Sequence, residues 1–389
     1  MNNILLLNKI AKVGVKALDE KLYHCGTDVE EPVGVMVRSA KMHDMTFNPE
    51  LLAIARAGAG VNNIPIARCS EEGVVVFNTP GANANGVKEL AICALLLASR
   101  DVVGGVNWAR SLAGTADVAK QVEAGKSQFA GSEIKGKTLG VIGLGAIGGL
   151  VANVALRLGM KVVGCDPYLS VAGAWNLDNH IEQAATYEEV YAKADYITLH
   201  VPATETTTGM INKDTLAMMK DGVKIINLAR AELVNAADMA AALDSGKASA
   251  YVTDFPTEET VANPKVITIP HLGGSTEEAE ENCAVMAAEE LDEYIRFGNI
   301  RNSVNYPAVN MPVSANSRVC VLHANVPAVL ANVSAVISKD GINIENLFNK
   351  SKGENAYTIL EINDAVTERA ERDIAAIEGV RRVRTIRFA

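Results

Sequence analysis

The chain has 389 residues, and one hydrophobic core rarely serves that length, so we expect two or three domains. Hydrophobic residues make up 49% and charged residues 21% of the chain, which excludes an intrinsically disordered protein. The net charge of -10 excludes non-specific binding to nucleic acid or to an anionic membrane surface, because either partner would repel an acidic protein.

The spacing of the cysteines and the lengths of the apolar runs indicate the cellular location of the protein. The six cysteines are scattered, without a CxxC pair or metal-ligand spacing, so we predict reduced thiols, a cytoplasmic protein and no bound metal. The N-terminal segment lacks the basic and long apolar regions of a signal peptide, and it predicts a first strand instead. The longest apolar run, residues 90–98, has about half of the ~20 residues needed to cross a bilayer, so we predict no membrane span.

Short apolar runs dominate the first 80 residues. Each run ends in turn residues and predicts a strand or a buried helical turn of an α/β unit; the runs cover residues 4–7, 33–37, 51–55 and 74–77. A long helix is predicted next, over residues 87–98, because Leu90, Ala94 and Leu97 recur there at helical spacing.

Six strand-like runs follow from Thr138. They cover residues 138–142, 161–165, 196–200, 223–228, 249–253 and 266–269. Helix-length segments separate most of them, which is the pattern of a doubly wound parallel sheet, and six strands is the number in a Rossmann domain.

The remaining chain predicts a helix, a linker and a small domain. Val285, Ala288 and Leu291 recur at helical spacing in a helix that ends at Gly298, and we expect this helix to return to the first domain. Residues 305–314 are rich in Pro, Asn and Ser without periodicity, and they predict a linker. From residue 317 the predicted order is βαββαβ, as in ferredoxin-like modules, over residues 319–323, 328–339, 342–349, 356–362, 367–377 and 380–388.

A glycine-rich turn joins the strand predicted at residues 138–142 to a helix that ends at Gly159. It reads Gly143-Leu144-Gly145-Ala146-Ile147-Gly148, the GxGxxG spacing of dinucleotide-binding sites. Gly143 permits the tight turn, Gly145 lets the backbone approach a pyrophosphate, and Gly148 lets the helix pack on the strand. The N-terminus of the following helix can then bind the phosphates.

Asp166 ends the second strand of this sheet, 18 residues after Gly148. A carboxylate at this place can accept hydrogen bonds from both ribose hydroxyls of NAD, and it would repel the 2′-phosphate of NADP. A glycine turn without a ligand would explain the spacing alone, but not the agreement of strand, helix, second strand and acidic residue. We therefore predict NAD as the cofactor.

Ligands of open parallel sheets bind beyond the carboxyl ends of the strands, so the residues after each strand are candidates for catalysis. These are Val201 and Pro202, Arg230, residues 254–259, and residues 271–274. Oxidation of a 2-hydroxy acid needs a base for the hydroxyl proton, a guanidinium for the carboxylate and an acidic partner for the base.

We assign His271 as the base, Arg230 as the group that orients the substrate, and Glu258 as the partner of His271. A histidine with a pKa of about 6.5 suits this task, and a nearby carboxylate would raise that pKa and hold the ring in one tautomer. Taken singly, a capped strand end would explain His271 and a surface charge would explain Arg230. His200 also ends a strand, but no acidic partner is evident, which favours a structural or cofactor-lining role.

Six motifs resemble those of the D-isomer-specific 2-hydroxyacid dehydrogenases, over essentially the whole chain up to about residue 305. They are AGAGVNNI at 57–64, NTP at 78–80, VKEL at 87–90, GLGAIG at 143–148, NLAR at 227–230 and PHLGGST at 270–276. The resemblance implies an NAD-dependent oxidoreductase acting on the CH–OH group of a 2-hydroxy acid. It also implies a substrate-binding domain at 1–95 with 286–308 and an NAD-binding domain at 96–285.

Candidate ligand-binding residues follow from these motifs and strand ends. The predicted cofactor-binding residues are Gly143, Gly145, Ala146, Ile147, Gly148, Asp166, Val201, Pro202, Thr207, Leu228, Ala229, Arg230, Asp254, His271, Gly273 and Gly274. On the substrate side the resemblance implies Arg38 and Ser39, with the arginine toward a phosphate, the turn Gly58, Ala59 and Gly60 with its amides toward a carboxylate, and Asn83.

Residues 317–389 resemble an ACT domain, an amino-acid-sensing module. Family members that oxidise 3-phospho-D-glycerate to 3-phosphooxypyruvate, the first step of L-serine biosynthesis, often carry this module, and the resemblance implies that reaction here. His323, Asn325 and Asn343 match positions that bind serine, whereas Ala328 replaces the usual glycine after Pro327. Inhibition by serine and a role in assembly alone therefore both stay open.

Two departures from the family pattern affect the site. The family usually shows Asp-Val-Phe-x-x-Glu-Pro after the fifth strand, where this chain reads Thr-Asp-Phe-Pro-Thr-Glu-Glu over residues 253–259. Alignment on Phe255 selects Glu258 as the partner of His271, which we prefer, and alignment on Asp254 selects Glu259. Ala231 follows Arg230 where the family has glycine, so we expect an ordinary backbone conformation there.

Two other functions fit the same motifs. One is a glyoxylate or hydroxypyruvate reductase of this family with a regulatory tail, and the other is a non-catalytic, NAD-sensing, corepressor-like protein. The expected partners are a small-molecule substrate, a serine effector and a second copy of the chain, in a homodimer or a homotetramer, with neither nucleic acid nor membrane.

Overall fold

The computed structural model describes residues 1–364 and 366–388. The internal contacts divide the chain into two compact units. The first unit is residues 1–83 with 280–389, and the second is residues 84–279.

A five-stranded parallel sheet begins the first unit. Its elements are β1 (Asn2–Leu7), α1 (Lys12–Lys16), β2 (Tyr23–Gly26), β3 (Gly34–Val37), β4 (Ala53–Arg56), α2 (Ile66–Glu71) and β5 (Val75–Asn78). The strand order is β2-β1-β3-β4-β5, with every pair parallel. Alternate side chains enter separate cores, with Met36 and Phe77 on one face and Val35 and Val76 on the other. Burial of both faces accounts for the nearly continuous apolar runs in the sequence.

The second unit begins with three helices and continues as a seven-stranded parallel sheet. The elements are α3 (Ala84–Ser99), α4 (Val102–Ser111), α5 (Val118–Gly125), β6 (Thr138–Ile142), α6 (Gly148–Arg157), β7 (Lys161–Cys165), α7 (Val171–Ala174), β8 (Glu182–Gln183), α8 (Tyr187–Lys193), β9 (Tyr196–Leu199), α9 (Lys213–Met218), β10 (Val223–Asn227), α10 (Ala236–Ser245), β11 (Ala248–Thr253), α11 (Glu258–Ala262) and β12 (Val266–Thr268). The order is β12-β11-β10-β9-β6-β7-β8.

The predicted count of six strands was one too low. Strand β8 pairs with β7 through only two residues, both exposed and polar, so it has no apolar pattern to reveal it. The strand order places β9 directly beside β6. Because the connections leave this pair in opposite directions across the sheet, the residues after β6 and β9 flank the switch point at which open α/β sheets bind ligands.

A long helix and an antiparallel sheet complete the chain. They are α12 (Glu277–Phe297), β13 (Ser317–Ala324), α13 (Val329–Lys339), β14 (Ile344–Lys352), β15 (Asn355–Ile362), α14 (Glu368–Ala375) and β16 (Val380–Arg387). The sheet order is β14-β15-β13-β16, which confirms the predicted βαββαβ module. The α/β fold class, with two parallel sheets and this smaller C-terminal module, is likewise confirmed.

Both faces of the C-terminal sheet are buried at its central strands, β13 and β15. Val321 and Leu360 pack with α13 and α14 on one face. Leu322, Tyr357 and Ile359 on the other face share a core with α12 and the first parallel sheet. The module is therefore an integral part of the first unit.

Half of segment 305–314, which was predicted as a linker, is buried: residues 305–307, 309 and 311 are buried and the others are exposed. The first part of the segment is therefore packed, which a free linker would not be. The Asn305 side chain accepts a hydrogen bond from Val76 N at 2.9 Å and donates to Val74 O at 2.9 Å. Tyr306 donates from its hydroxyl to Ser70 O at 2.7 Å. Polar residues here satisfy buried backbone groups next to β5, and a segment of that kind has the composition of a linker without its exposure.

Arginines of the module bind the C-terminal end of α12. Arg318 is fully buried, pairs with Glu361 at 2.7 Å and donates to Phe297 O at 2.6 Å. Arg384 donates to the carbonyls of Tyr294 and Ile295. These carbonyls belong to the last turn of α12, where the helix lacks internal donors and carries a partial negative charge.

We expect Arg318→Leu to lower the free energy of unfolding by about 3–5 kcal/mol, because it leaves the Glu361 carboxylate buried without its partner. Urea unfolding of the full chain measures the change. Arg369→Leu is the matched control, since its ion pair with Asp373 is exposed and contributes about 0.3–0.5 kcal/mol. Equal losses in the two variants would contradict this account.

Candidate active site

The glycine turn follows β6 with the geometry that a dinucleotide site needs. Gly143 has φ of +88°, which favours glycine. A Cβ at Gly148 would lie 1.9 Å from Gly143 O, so no side chain fits where α6 begins. A Cβ at Gly145 would meet nothing within 4 Å, which leaves open space in front of the turn. The three glycines thus have separate roles, and the space at Gly145 suits a closely approaching phosphate.

Asp166 lies directly after β7 and is joined to this turn. Its Oδ2 accepts a hydrogen bond from Leu144 N at 2.9 Å, and its Oδ1 accepts one from Tyr168 N at 2.9 Å. Each carboxylate oxygen keeps a second lone pair, so both can still accept from ribose hydroxyls. The backbone contacts orient the carboxylate beside the glycine turn.

The loop after β9 is organised by Thr207. Its hydroxyl donates to Pro202 O at 2.6 Å and accepts from Thr204 N at 2.8 Å. Those bonds hold the backbone at Val201 and Pro202, so Thr207 shapes this loop from a buried position. His200 lies 2.9 Å from Thr198 Oγ1 through its Nε2, and burial lowers the pKa of His200 to about 4. A ring kept neutral in this way fits the predicted structural role.

Asn227 builds the turn that carries Arg230. Buried at the end of β10, Asn227 accepts hydrogen bonds from Ala229 N at 3.2 Å and Arg230 N at 3.4 Å. Its amide donates to Arg230 O at 2.8 Å. Arg230 itself is exposed, with φ of -152°, and Ala231 has no positive φ, as the missing glycine had predicted.

Asp254 and His271 are tied together after β11 and β12. His271 N donates to Asp254 O at 3.1 Å, and Gly273 N donates to Asp254 Oδ2 at 3.1 Å. Burial raises the pKa of the Asp254 carboxyl, against the opposing influence of Gly273, His271 and Arg230. His271 has φ of +49°, a strained conformation for a residue other than glycine, and such strain is common at functional sites.

The predicted contact between His271 and Glu258 is not formed within the described part of the chain. Phe255 lies against the histidine instead, with the ring centroids 5.1 Å apart in an edge-on arrangement. Thr257 caps α11, so Glu258 and Glu259 both fall in the exposed first turn of that helix. The choice between the two glutamates therefore stays open, because both stand in the first turn of this helix.

The loops of the first unit that were predicted to bind substrate are held by side chains. Asn8, after β1, accepts hydrogen bonds from Ser39 N at 3.0 Å and Ala40 N at 2.6 Å. Arg38 forms an ion pair with Glu280, and both side chains are about two-fifths exposed. An anion bound at Arg38 would therefore compete with the Glu280 carboxylate.

Arg56 lies beneath the turn of residues 58–60. Gly58 has φ of +152°, and a Cβ there would meet the Arg56 guanidinium at 2.4 Å. The Arg56 Nε donates to Arg38 O at 3.1 Å. Ala59 O accepts from Asn78 Nδ2 at 2.6 Å, which fixes the turn from β5. Two guanidinium groups thus belong to these loops, where the sequence had suggested one.

Asn83 and Gly60 complete the predicted substrate-side set. Asn83 is half-buried immediately before α3, and Gly60 is half-buried next to the exposed Ala59. A Cβ at Gly60 would come no closer than 3.8 Å to Arg56 Nη1.

The predicted effector residues do not come together within one module. His323 is level with Ala356 and Ser351, whereas Asn343 precedes Ile344 at the other end of the antiparallel sheet. His323 is buried, which lowers its pKa, and its Nδ1 donates to Ala324 O at 2.7 Å. Asn325 donates to Gly353 O at 3.1 Å, and Asn343 to Glu345 Oε1 at 2.9 Å.

Ala328 takes the conformation that the glycine of the family would take. Its φ is +69° at the residue before α13. An alanine there costs about 1–2 kcal/mol in the left-handed region. The substitution therefore changes backbone strain in addition to adding a methyl group.

Two observations test whether NAD fits the second unit. The open space at Gly145 would accommodate the pyrophosphate, next to the first turn of α6. Asp254 Oδ1 is buried without a hydrogen-bond partner, and it could accept from the nicotinamide carboxamide. The residues after β6, β7, β10 and β11 thus fit the cofactor.

The similarity of this chain to known proteins agrees with this fit. Residues 105–273 match the model of the D-isomer specific 2-hydroxyacid dehydrogenase, NAD binding domain. D-3-phosphoglycerate dehydrogenase of Bacillus subtilis is 35% identical over 285 residues, which is 71% of this chain and 52% of the relative. The Rattus norvegicus enzyme of the same name is 33% identical, over 75% of this chain and 54% of the relative. Residues 105–273 therefore belong to the D-isomer-specific 2-hydroxyacid dehydrogenase family, as its NAD-binding domain. The chain spans about half the length of the curated relatives it matches.

Solved structures of the family match most of the chain. NAD+-bound 3-phosphoglycerate dehydrogenase of Entamoeba histolytica is 26% identical with a TM-score of 0.59, covering 78% of this chain and 98% of that one. Apo D-mandelate dehydrogenase of Rhodotorula graminis has a TM-score of 0.67 at 22% identity, covering 80% and 99%, and this shows the fold alone. NAD is the cofactor of this family domain.

The sequence prediction missed several residues that support the candidate site. Asn227, Asn8 and Arg56 hold or adjoin predicted residues, and each stands at or just after the end of a strand. Their position was the available signal, but polar residues after strands are common and do not show what they contact. Over residues 1–364 and 366–388, no His, Cys, Asp and Glu cluster suited to a metal was found, and no helix has the length and apolarity of a membrane span.

We expect Asn227→Ala to lower kcat/KM for a 2-hydroxy acid about tenfold or more, because backbone groups that orient Arg230 lose their partner. NADH affinity, measured by fluorescence titration, should stay within twofold. Asn212→Ala is the matched control, since Asn212 caps α9 in the same unit and its amide donates to Gly209 O. Parallel losses of activity in the two variants would mean that Asn227 matters for folding alone.

Proposed function

We propose that the protein oxidises 3-phospho-D-glycerate to 3-phosphooxypyruvate with NAD, the first step of L-serine biosynthesis. The observation that carries the proposal is the placement of Arg230 and the strained His271 around buried Asp254, at the strand ends of an NAD-binding domain of this family. Curated relatives at 31–36% identity are named D-3-phosphoglycerate dehydrogenases, which supports the choice of substrate.

Each group has a role in the proposed reaction. NAD supplies the hydride acceptor. His271 accepts the hydroxyl proton, and its exposed ring keeps it accessible to a substrate. Arg230 holds the substrate carboxylate through two parallel hydrogen bonds. Asp254 interacts with the charges of both, so it is the carboxylate best placed to stabilise the protonated histidine.

The first unit contributes the substrate loops in this proposal. Arg38, with Arg56 below it, supplies positive charge for a phosphate, and the amides of Gly58, Ala59 and Gly60 are proposed for a carboxylate. The ion pair of Arg38 with Glu280 shows that this guanidinium already holds one anionic group. The unpaired thiols of all six cysteines support a cytoplasmic location.

A substrate panel with NADH tests the activity. We expect 3-phosphooxypyruvate to be reduced with higher kcat/KM than glyoxylate or hydroxypyruvate. Arg38→Ala should lower that value about 10- to 100-fold for the phosphorylated substrate alone, since it loses hydrogen bonds to a charged group.

The control separates the alternative functions. His271→Asn should lower kcat about 10²- to 10⁴-fold and leave NADH binding intact. Preference for glyoxylate would identify a general reductase, and NADH binding without turnover of any substrate by the wild type would identify a non-catalytic NAD sensor. Either result overturns the proposed substrate.

We also propose that two chains pair through β14 and that serine binds across the pair. All residues of β14 after Ile344 are exposed, and the strand lies at the edge of its sheet. Antiparallel pairing of two such edges would bring the Asn343 end of one strand next to the Lys352 end of the other, where His323 and Asn325 lie. Such pairing would join the predicted effector residues that one module keeps apart.

We expect Phe348→Asp to halve the molar mass measured by light scattering, because Phe348 is the central residue of β14 and the two charges would face each other across the two-fold axis. The variant should also lose any inhibition by L-serine while keeping its activity without serine. Met218→Asp, an exposed change in α9 of the second unit, is the control. An unchanged mass in Phe348→Asp would refute pairing through this edge.

A further inference from the structure

Large apolar side chains are exposed together in one segment after β7. Tyr168, Val171 and Trp175 have 89%, 78% and 84% of their surface exposed, whereas most large apolar side chains of the chain are buried or partly buried. Clusters of exposed apolar side chains on a soluble protein commonly mark a site that binds a ligand or a partner. The segment therefore needs an explanation.

The exposed side chains stand on an anchored segment. Leu169 and Leu177, on either side of α7, pack against the core of the second unit. Ser170 caps α7 by accepting from Gly173 N at 3.0 Å. Val171 and Trp175 are four residues apart, so they share one face of this short helix. The indole is thus presented outward by a fixed backbone.

That face borders a pocket of about 670 Å³. Leu144 of the glycine turn, Asp166, Val171 and Trp175 all line this pocket. The volume falls within the range of small-molecule sites, roughly 300–1,000 Å³. The pocket is continuous with the residues that fit the pyrophosphate and the ribose of NAD.

We propose that Trp175, together with Val171, is the wall on which the adenine of NAD stacks. The dinucleotide runs from the glycine turn past Asp166, so the next group along it is the purine. A purine has two flat apolar faces, and an exposed indole is the side chain best suited to cover one of them. Burial of the adenine face would also remove Trp175 from water. This inference rests on NAD binding, and its test is independent of the substrate.

The experiment measures binding of two cofactor fragments by calorimetry. ADP-ribose contains the adenine, whereas nicotinamide mononucleotide lacks it. We expect Trp175→Ala to weaken ADP-ribose binding about tenfold, as base-stacking residues do, and to leave the mononucleotide affinity within twofold. Trp175→Phe should restore most of the affinity, because it keeps an aromatic face.

The chain has only two tryptophans, which provides both a control and a second readout. Trp108 packs against Phe129 in another part of the second unit, and Trp108→Phe should bind both fragments like the wild type. In the Trp108→Phe variant the remaining tryptophan fluorescence comes from Trp175. ADP-ribose should quench this fluorescence, whereas the mononucleotide should not.

Three results would overturn the proposal. Unchanged ADP-ribose affinity in Trp175→Ala would show that the pocket holds adenine without the indole or that Trp175 contacts a protein partner. Equal weakening of both fragments would show a general structural effect. Failure of the wild type to bind ADP-ribose would reject the stacking wall together with this NAD site, whereas loss of activity on phosphoglycerate alone would leave it standing.

Discussion

Parallel pairing of the strands in the second unit is the constraint on which the candidate site depends. Every connection carries the chain back to the edge at which the strands begin, so the segments after β6, β7, β9, β10, β11 and β12 all emerge at the opposite edge. Residues far apart in the chain, such as Gly145 and His271, thus share one edge of one sheet. The glycine turn, the arginine and the histidine owe their proximity to this register.

Backbone groups at that edge are satisfied by a few buried polar side chains. Asn227 donates a hydrogen bond to Arg230 O, and Asp254 accepts one from Gly273 N. Thr207 donates one to Pro202 O. Each uses hydrogen bonds that water would otherwise compete for, and burial strengthens them. The exposed groups proposed to meet ligands therefore stand on a rigid base, which catalysis requires.

In the C-terminal module, charged side chains hold the module against α12. Arg318 and Arg384 place guanidinium groups on the last carbonyls of α12, where a helix end has acceptors without donors. Arg318 also makes the contact specific, since a displaced module would leave the Phe297 and Met311 carbonyls without this buried donor. The Asn305 side chain adds hydrogen bonds to Val74 and Val76, at the start of β5. Along β14, at the edge of the module's sheet, every residue after Ile344 is exposed.

The sequence by itself determined the fold class, the βαββαβ module, the glycine turn and the NAD preference, because each depends on local periodicity or spacing. Apolar alternation and a GxGxxG turn are written in neighbouring residues. Only the tertiary structure decided what the individual side chains contact: that Phe255 rather than Glu258 lies on His271, that Arg38 pairs with Glu280, and that residues 305–307, 309 and 311 are buried. These outcomes depend on where α11 begins, which loops meet and which backbone groups need partners, and such long-range packing has no local signature. The two-residue strand β8 was missed for a related reason, since a strand so short is defined by its neighbour rather than by its own side chains.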